Sequence, residues 1–313
     1  MVKIMRKILL LLALFAMLLL FSCESTSGPR FKGEVYSLAA LLVAGQPLNE
    51  EHPVYLTRSS EIEDFNYLQI FVTDAEITLH DLTSGQEFTL QPGMAGILPA
   101  YLDPEQRLIE AEHRYRIEAR IPGYQPVIWA ETTVPQAITL ETDVYGNNAD
   151  GEGYSFDEQT QNQMPFNRID SDFPLVLNTG QIAGNYNFFS EFYCLEEFST
   201  DLEYTTQIMG MVHPDASMEE TYNSSGETIR RISMAGRFSS KPQQGLPDNY
   251  IMLRDYGQVF MFYGRYRIKS YILDDNYYNY VNMPEGYLYG GVHNALGYFG
   301  SASGGVMYVT ICK

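Results

Sequence analysis

The sequence predicts an all-β protein built as two successive β domains, and three observations carry that reading. The clearest is a stretch in which Tyr115, Ile117, Ala119 and Ile121 alternate with Arg114, Arg116, Glu118 and Arg120. An extended chain with that pattern has one apolar and one charged face. Second, 24 Tyr and 17 Phe suit pleated, half-buried surfaces better than helices. Third, no helix of three turns with an apolar stripe appears between residues 34 and 140, which leaves sheets to build the core there.

The chain opens on an address. Lys3, Arg6 and Lys7 precede an unbroken apolar run from Ile8 to Phe21, and fourteen residues fall short of the roughly 20 that a membrane-crossing helix needs. That is the pattern of a cleaved secretory signal. Leu20-Phe21-Ser22-Cys23 resembles the lipobox of bacterial lipoproteins, in which cleavage leaves a lipid-bearing cysteine at the new N-terminus. Residues 1–22 are therefore expected to be a lipoprotein signal peptide and Cys23 the lipid (palmitate-class) attachment residue. Each acyl methylene contributes about 0.8 kcal/mol to membrane binding, so several chains make a lasting anchor. Residues 23–33, small and polar, read as a tether. The expected location is the outer membrane, with the membrane itself a partner through the anchor. Glu24 is the only acidic residue next to Cys23, which leaves inward and outward display equally open.

Composition narrows the partners. The formal charge is −19, and removing residues 1–22 takes away three positive charges and no negative ones, giving −22 for the mature chain. A surface that acidic repels nucleic acid, which excludes it as a partner. From Glu141 to Glu220 there are sixteen acidic residues against the single Arg168, a bias read as a solvated acidic face, with a cation site or a surface for a basic partner as the alternatives.

Strands are expected in order at Glu34–Ala44, Val54–Ser59, Asp74–His80 and Gln86–Leu90, the last two joined by a Thr83-Ser84-Gly85 turn. The alternating stretch at 115–121 follows, then Pro122-Gly123 as a turn and a return strand from Gln125 to Val134 carrying Trp129. Residues 34–140 thus form a small antiparallel sandwich. Residues 141–313 form a second, aromatic-rich β domain with strands at Asn187–Phe198, Thr228–Phe238, Gln258–Leu273 and Val306–Cys312. Short helices are expected at Ser217–Tyr222 or Asp275–Val281.

Candidate sites are few. Asn148, Asp150 and Glu152 occupy positions one, three and five of a loop with EF-hand-like oxygen spacing, but Gln159 stands at position twelve, where a bidentate acid belongs. The loop is read either as a solvated turn or as a calcium site, calcium being the one cofactor considered. Cys194 and Cys312 remain once Cys23 is acylated; they bridge if their strands are neighbours and stay as thiols if not. Tyr277, Tyr278 and Tyr280, interleaved with Asn and Asp, offer rings that stack and hydrogen-bond a sugar or a partner protein; packing in a Tyr-rich core is the other reading. No His-Glu-x-x-His, nucleophile elbow or phosphate loop is present, since Ala302 stands where an elbow would need serine. The histidines His52, His80, His113, His213 and His293 are scattered singly. The chain is not expected to be an enzyme.

The order of segments resembles the uncharacterised Bacteroidetes-type envelope lipoproteins of domain-of-unknown-function family 4249. The pieces that carry the resemblance are Leu42-Val-Ala-Gly45, Val54-Tyr-Leu-Thr-Arg-Ser59, Asp74-Ala-Glu-Ile-Thr-Leu79, His113-Arg-Tyr-Arg-Ile-Glu-Ala119 with Thr133-Val-Pro135, and Val292 to Gly300 near the end. The resemblance implies a first domain similar to transthyretin-like or carboxypeptidase-regulatory-like sandwiches and a second β domain particular to the family. It implies no activity. Taken together, anchor, β modules and missing chemistry lead to the expectation of a lipid-anchored binding or accessory protein, associated with an outer-membrane transport or surface system and with an outer-membrane protein as partner. The alternatives are a glycan-active enzyme and a structural or adhesive surface lipoprotein.

Overall fold

The computed structural model describes residues 34–60, 66, 68–141, 153–159, 162–166, 175–179, 184–196, 203–205, 216–222, 228–240, 250–253, 259–282 and 289–313. The leader, Cys23 and the tether lie outside them, as do Asn148, Asp150 and Glu152. None of the described helices is long and apolar enough to cross a membrane.

Chain order begins with β1 (Tyr36–Val43) and β2 (Tyr55–Arg58), then β3 (Glu76–Asp81), β4 (Glu87–Ala95), β5 (Leu98–Leu102), β6 (Arg114–Arg120) and β7 (Ile128–Thr133). After β8 (Thr139–Glu141) come β9 (Gln163–Pro165), β10 (Leu175–Asn178), β11 (Gly184–Cys194), β12 (Ala216–Tyr222), β13 (Thr228–Ser240), β14 (Tyr250–Leu253) and β15 (Gly264–Leu273). The helix α1 (Asp275–Asn282) follows, then β16 (Tyr289–Gly290), β17 (Val292–His293) and β18 (Leu296–Cys312). The fold is nearly all β, as the sequence predicts.

The strands form three sheets. One has the order β17-β7-β6-β3-β4-β5; a small one, β14-β10-β8; and a large one, β12-β13-β11-β15-β18-β1-β2, with β9 and β16 also pairing to β18. In β6 the alternation works as expected: Tyr115, Ile117 and Ala119 have no exposure. The opposite face is laced with charge, Arg116 bonding Glu118 and Glu131 while its guanidinium lies 4.4 Å over the Trp129 ring. The Thr83-Ser84-Gly85 turn is also present, with Gly85 at φ 80° joining β3 to β4.

One strand organises the rest. β18 spans 17 residues, about 56 Å at the usual strand rise, and two cores lie along its one face. Its first half packs Phe299 among Leu38, Leu42, Ile77, Ile117 and Ile128. Its second half packs Met307, Val309 and Ile311 among Phe188, Phe192, Tyr266 and Ile268. The sandwich expected for residues 34–140 therefore does not close on itself. Its second layer is β1, which runs parallel to β18 with Ser37 opposite Leu296 and Val43 opposite Ala302, and β17 extends its other layer by pairing with β7.

Two local expectations are corrected. Ser217–Tyr222 lies in β12, not a helix, because β13 offers an antiparallel partner whose register sets Glu219 against Arg231 and Glu220 against Arg230; pairing of that kind outweighs a weak local helical preference. The expected strand at Gln258–Leu273 begins only at Gly264, where φ is 131°, and Val259–Phe262 is a buried, irregular segment. The helix at Asp275–Val281 is confirmed and has a clear cause. Asp274 is its N-cap, its carboxylate accepting the Tyr277 amide at 3.0 Å.

Candidate ligand-binding site

The face of the large sheet opposite the two cores is covered only in part. Strand alternation decides what stands there. In β15, Ile268, Ser270 and Ile272 point to the core, so Lys269, Tyr271 and Leu273 point away. In β11 the same rule turns Phe188 and Phe192 inward and Phe189 and Glu191 outward; in β1 it presents Leu41 and Val43, and in β18 Tyr298. Val43, Phe189, Leu273 and Ala302 form a small third apolar cluster under α1.

Above this floor are two walls. α1 leans on β18 at Gly300, where a Cβ would lie 2.5 Å from Tyr277 Cβ, and Asn276 ties the helix down through bonds to the Glu131 and Phe299 carbonyls at 2.8 and 3.0 Å. The second wall is the loop before β2. Leu48 is buried, and the Asn49 side chain accepts the amides of Glu51 and His52 at 2.9 and 3.2 Å, which fixes residues 50–53 over the sheet.

Floor and walls enclose a cavity of about 300 Å³ whose lining includes His52, Tyr55, Lys269, Tyr271, Tyr277 and Tyr298. These six side chains are half-buried, yet none of their polar heads has a hydrogen bond or ion pair among the described residues. The Lys269 ammonium lies over the Tyr193 ring, 5.6 Å from its centroid. Burial, then Arg267, holds its ammonium below the usual lysine range; burial, then Lys269, likewise lowers His52. Burial pushes Tyr271 and Tyr298 up to about 12 and raises Tyr55 and Tyr277. The four phenols stay protonated at neutral pH.

A larger groove, about 930 Å³, runs between β7, β11 and α1, but its polar groups are already partnered. Asp274 accepts the Thr132 hydroxyl at 2.6 Å, Asp275 accepts Asn187 at 2.6 Å, and Glu131 is paired with Arg114 and Arg116. Burial raises Asp274 above the usual carboxylate range even so. The carboxylates of the larger groove are engaged within the protein, whereas the polar heads lining the smaller cavity have no protein partner among the described residues; the smaller cavity is the candidate.

Of the three tyrosines singled out in the sequence, Tyr277 lines the cavity, with its ring 4.9 Å from that of Tyr298. Tyr280 packs at a tilt against the same Tyr298 ring, with centroids 4.9 Å apart, and supports the wall from outside. Tyr278 packs against the third apolar cluster instead. The other lining residues came from strands far apart in sequence, and the available signal was the charged and tyrosyl face of Arg265 to Leu273. Cys194 and Cys312 are free thiols. β15 stands between their strands, with Cys194 opposite Tyr266 and Tyr266 opposite Val309. Two strand spacings of about 4.8 Å already exceed the roughly 7 Å limit between bridged Cα atoms. Among the described residues no group of three His, Cys, Asp or Glu is placed to hold a metal.

Comparison with known proteins adds a family and little else. The family pattern described as Domain of unknown function (DUF4249) matches residues 37–305. No curated protein matches. Among solved structures, the extracellular portion of mouse CD200RLa is 6% identical over 89% of this chain and 94% of that one, with a TM-score of 0.13, an overlap too small to bear on the fold.

Proposed function

Because the chain belongs to the DUF4249 family, whose description assigns no activity, we propose from its own residues that it is a lipid-anchored binding protein of the cell envelope. In this reading Cys23 carries the lipid, residues 23–33 hold the body clear of the outer membrane, and the cavity beside α1 takes a small ligand on behalf of a transport or surface system. The observation that carries the reading is the cavity itself. Four tyrosines, a lysine and a histidine line it with no protein partner for their polar heads among the described residues, and rings with free polar tips are the usual furniture of a binding pocket. The leader pattern supports the placement, and the acidic body supports contact with something other than nucleic acid.

The test is a pull-down of the tagged lipoprotein from detergent-solubilised envelope. The proposal predicts a stoichiometric outer-membrane protein that co-purifies with it. A lipoprotein recovered alone from mild detergent, at native abundance and after crosslinking, would count against an accessory role.

A further inference from the structure

We infer that the cavity beside α1 takes a sugar acid, a hydroxyl-rich ring bearing a carboxylate, with the carboxylate seated on Lys269. The inference rests on the cavity being a binding site, and it follows from an inventory of donors and acceptors. A lysine ammonium offers three donors and no acceptor, a protonated phenol donates readily, and a neutral imidazole has one of each. Lys269, Tyr55, Tyr271, Tyr277, Tyr298 and His52 supply the donors of a lining whose acceptors are the carboxylates of Glu50, Glu51 and Glu191.

The floor has a single carboxylate, and it is engaged. Glu191 stands directly opposite Lys269 in the β11–β15 register, yet its oxygens go to the Tyr193 hydroxyl at 2.6 Å and to Arg231 at 3.4 Å. Lys269 has no ion pair among the described residues, and the nearby charges of Glu191 and Glu51, which favour its ammonium, do not offset burial and Arg267. Glu50 and Glu51 are exposed at the rim, where water and salt screen them. A ligand must therefore bring oxygen acceptors, and one of them should be charged.

The apolar part of the lining says what carries that charge. Phe189, Leu41, Val43 and the tyrosine rings would be left wet by a bare inorganic anion, whereas the C–H faces of a sugar ring cover them. A volume of about 300 Å³ lies at the small end of ligand pockets, which run from roughly 300 to 1,000 Å³. One ring with its carboxylate suits that space.

Calorimetric titration of the full detergent-solubilised lipoprotein with D-glucuronate, D-glucose and acetate tests this. Glucuronate is expected to bind about tenfold or more tightly than either control, the margin of one charge-assisted bond. Lys269→Met should remove that margin, bringing glucuronate down to the level of glucose, and Tyr298→Phe, which deletes one donor and no packing, should weaken glucuronate several-fold. Equal binding of glucose and glucuronate, or a Lys269→Met variant that keeps wild-type affinity, overturns the charge assignment and leaves the cavity as a neutral-ligand site. Acetate binding as tightly as glucuronate overturns the sugar. No saturable binding of any of the three overturns the sugar-acid inference.

Discussion

Lys269→Met should make the unliganded protein more stable while it loses its ligand. The ammonium is half-buried and has no hydrogen bond or ion pair among the described residues. A polar group left without a partner in that setting costs about 1–2 kcal/mol. Against this stands the contact with the Tyr193 ring at 5.6 Å, for which about 0.5 kcal/mol is typical. Methionine keeps most of the stem and fills the same space, so the net gain is about 0.5–1.5 kcal/mol, or roughly 1–3 °C in Tm for a chain of this size. The pH dependence has a definite sign. Burial depresses the Lys269 pKa in the fold, so its destabilising effect is complete at low pH and is relieved as pH rises through the folded value towards the unfolded one near 10.4. Urea titrations of both proteins from pH 7 to pH 10 should show the variant's advantage shrinking with pH. A loss of more than 1 kcal/mol in the variant at pH 7 would mean that Lys269 has a structural partner, and the case for an unfilled site would fail.

Further expectations concern the frame of the site. Asp103 has no exposure; burial would raise its carboxyl, but a bidentate Arg107 at 2.7 and 3.0 Å and the amides of Arg107 and Glu105 outweigh it and hold it below the usual range. Its contribution is whole above the unfolded pKa near 3.9 and is lost as pH falls through the folded value, so Asp103→Asn should cost about 2–3 kcal/mol in urea at pH 7 and much less at pH 2. Gly304→Ala would put a methyl 2.0 Å from the Ser270 carbonyl oxygen, whereas at Gly305 the nearest atom is Leu140 Cδ1 at 3.5 Å; the first should cost about 3 kcal/mol or prevent folding, the second less than about 0.5 kcal/mol, by thermal denaturation. Alkylation under native conditions should label half-buried Cys312 before Cys194, whose thiol is buried and raised by that burial. Reduction should leave the intact mass unchanged.

What the sequence reveals is what neighbours in the chain decide. The β6 face needed only residues 114 to 121, the β3–β4 turn only Thr83-Ser84-Gly85, and α1 a capping Asp274 before a short polar-aromatic run. What depends on distant partners was hidden. Nothing within Tyr36–Val43 announces a parallel partner at Leu296–Ala302, because parallel pairing leaves no local turn to read. β12 was misread for the same reason, its conformation being set by β13. The candidate site shows the division most clearly: Tyr277 is legible as one of a run of tyrosines, while Lys269 is distinguished only by its cross-strand neighbour Glu191, which bonds Arg231 and Tyr193 instead. Alternation along Arg265 to Leu273 does mark a polar face, but whether that face meets water, a partner or a cavity is decided by α1 and the loop at 50–53.

The proposed membrane anchor, on which the placement of the whole body depends, is open to one direct measurement. Mass spectrometry of the N-terminal peptide from protein purified out of its own envelope should find Cys23 as the first residue with acyl chains attached. An N-terminal peptide that still contains residues 1–22, or a Cys23 carrying a free thiol on protein released without detergent, would contradict the account.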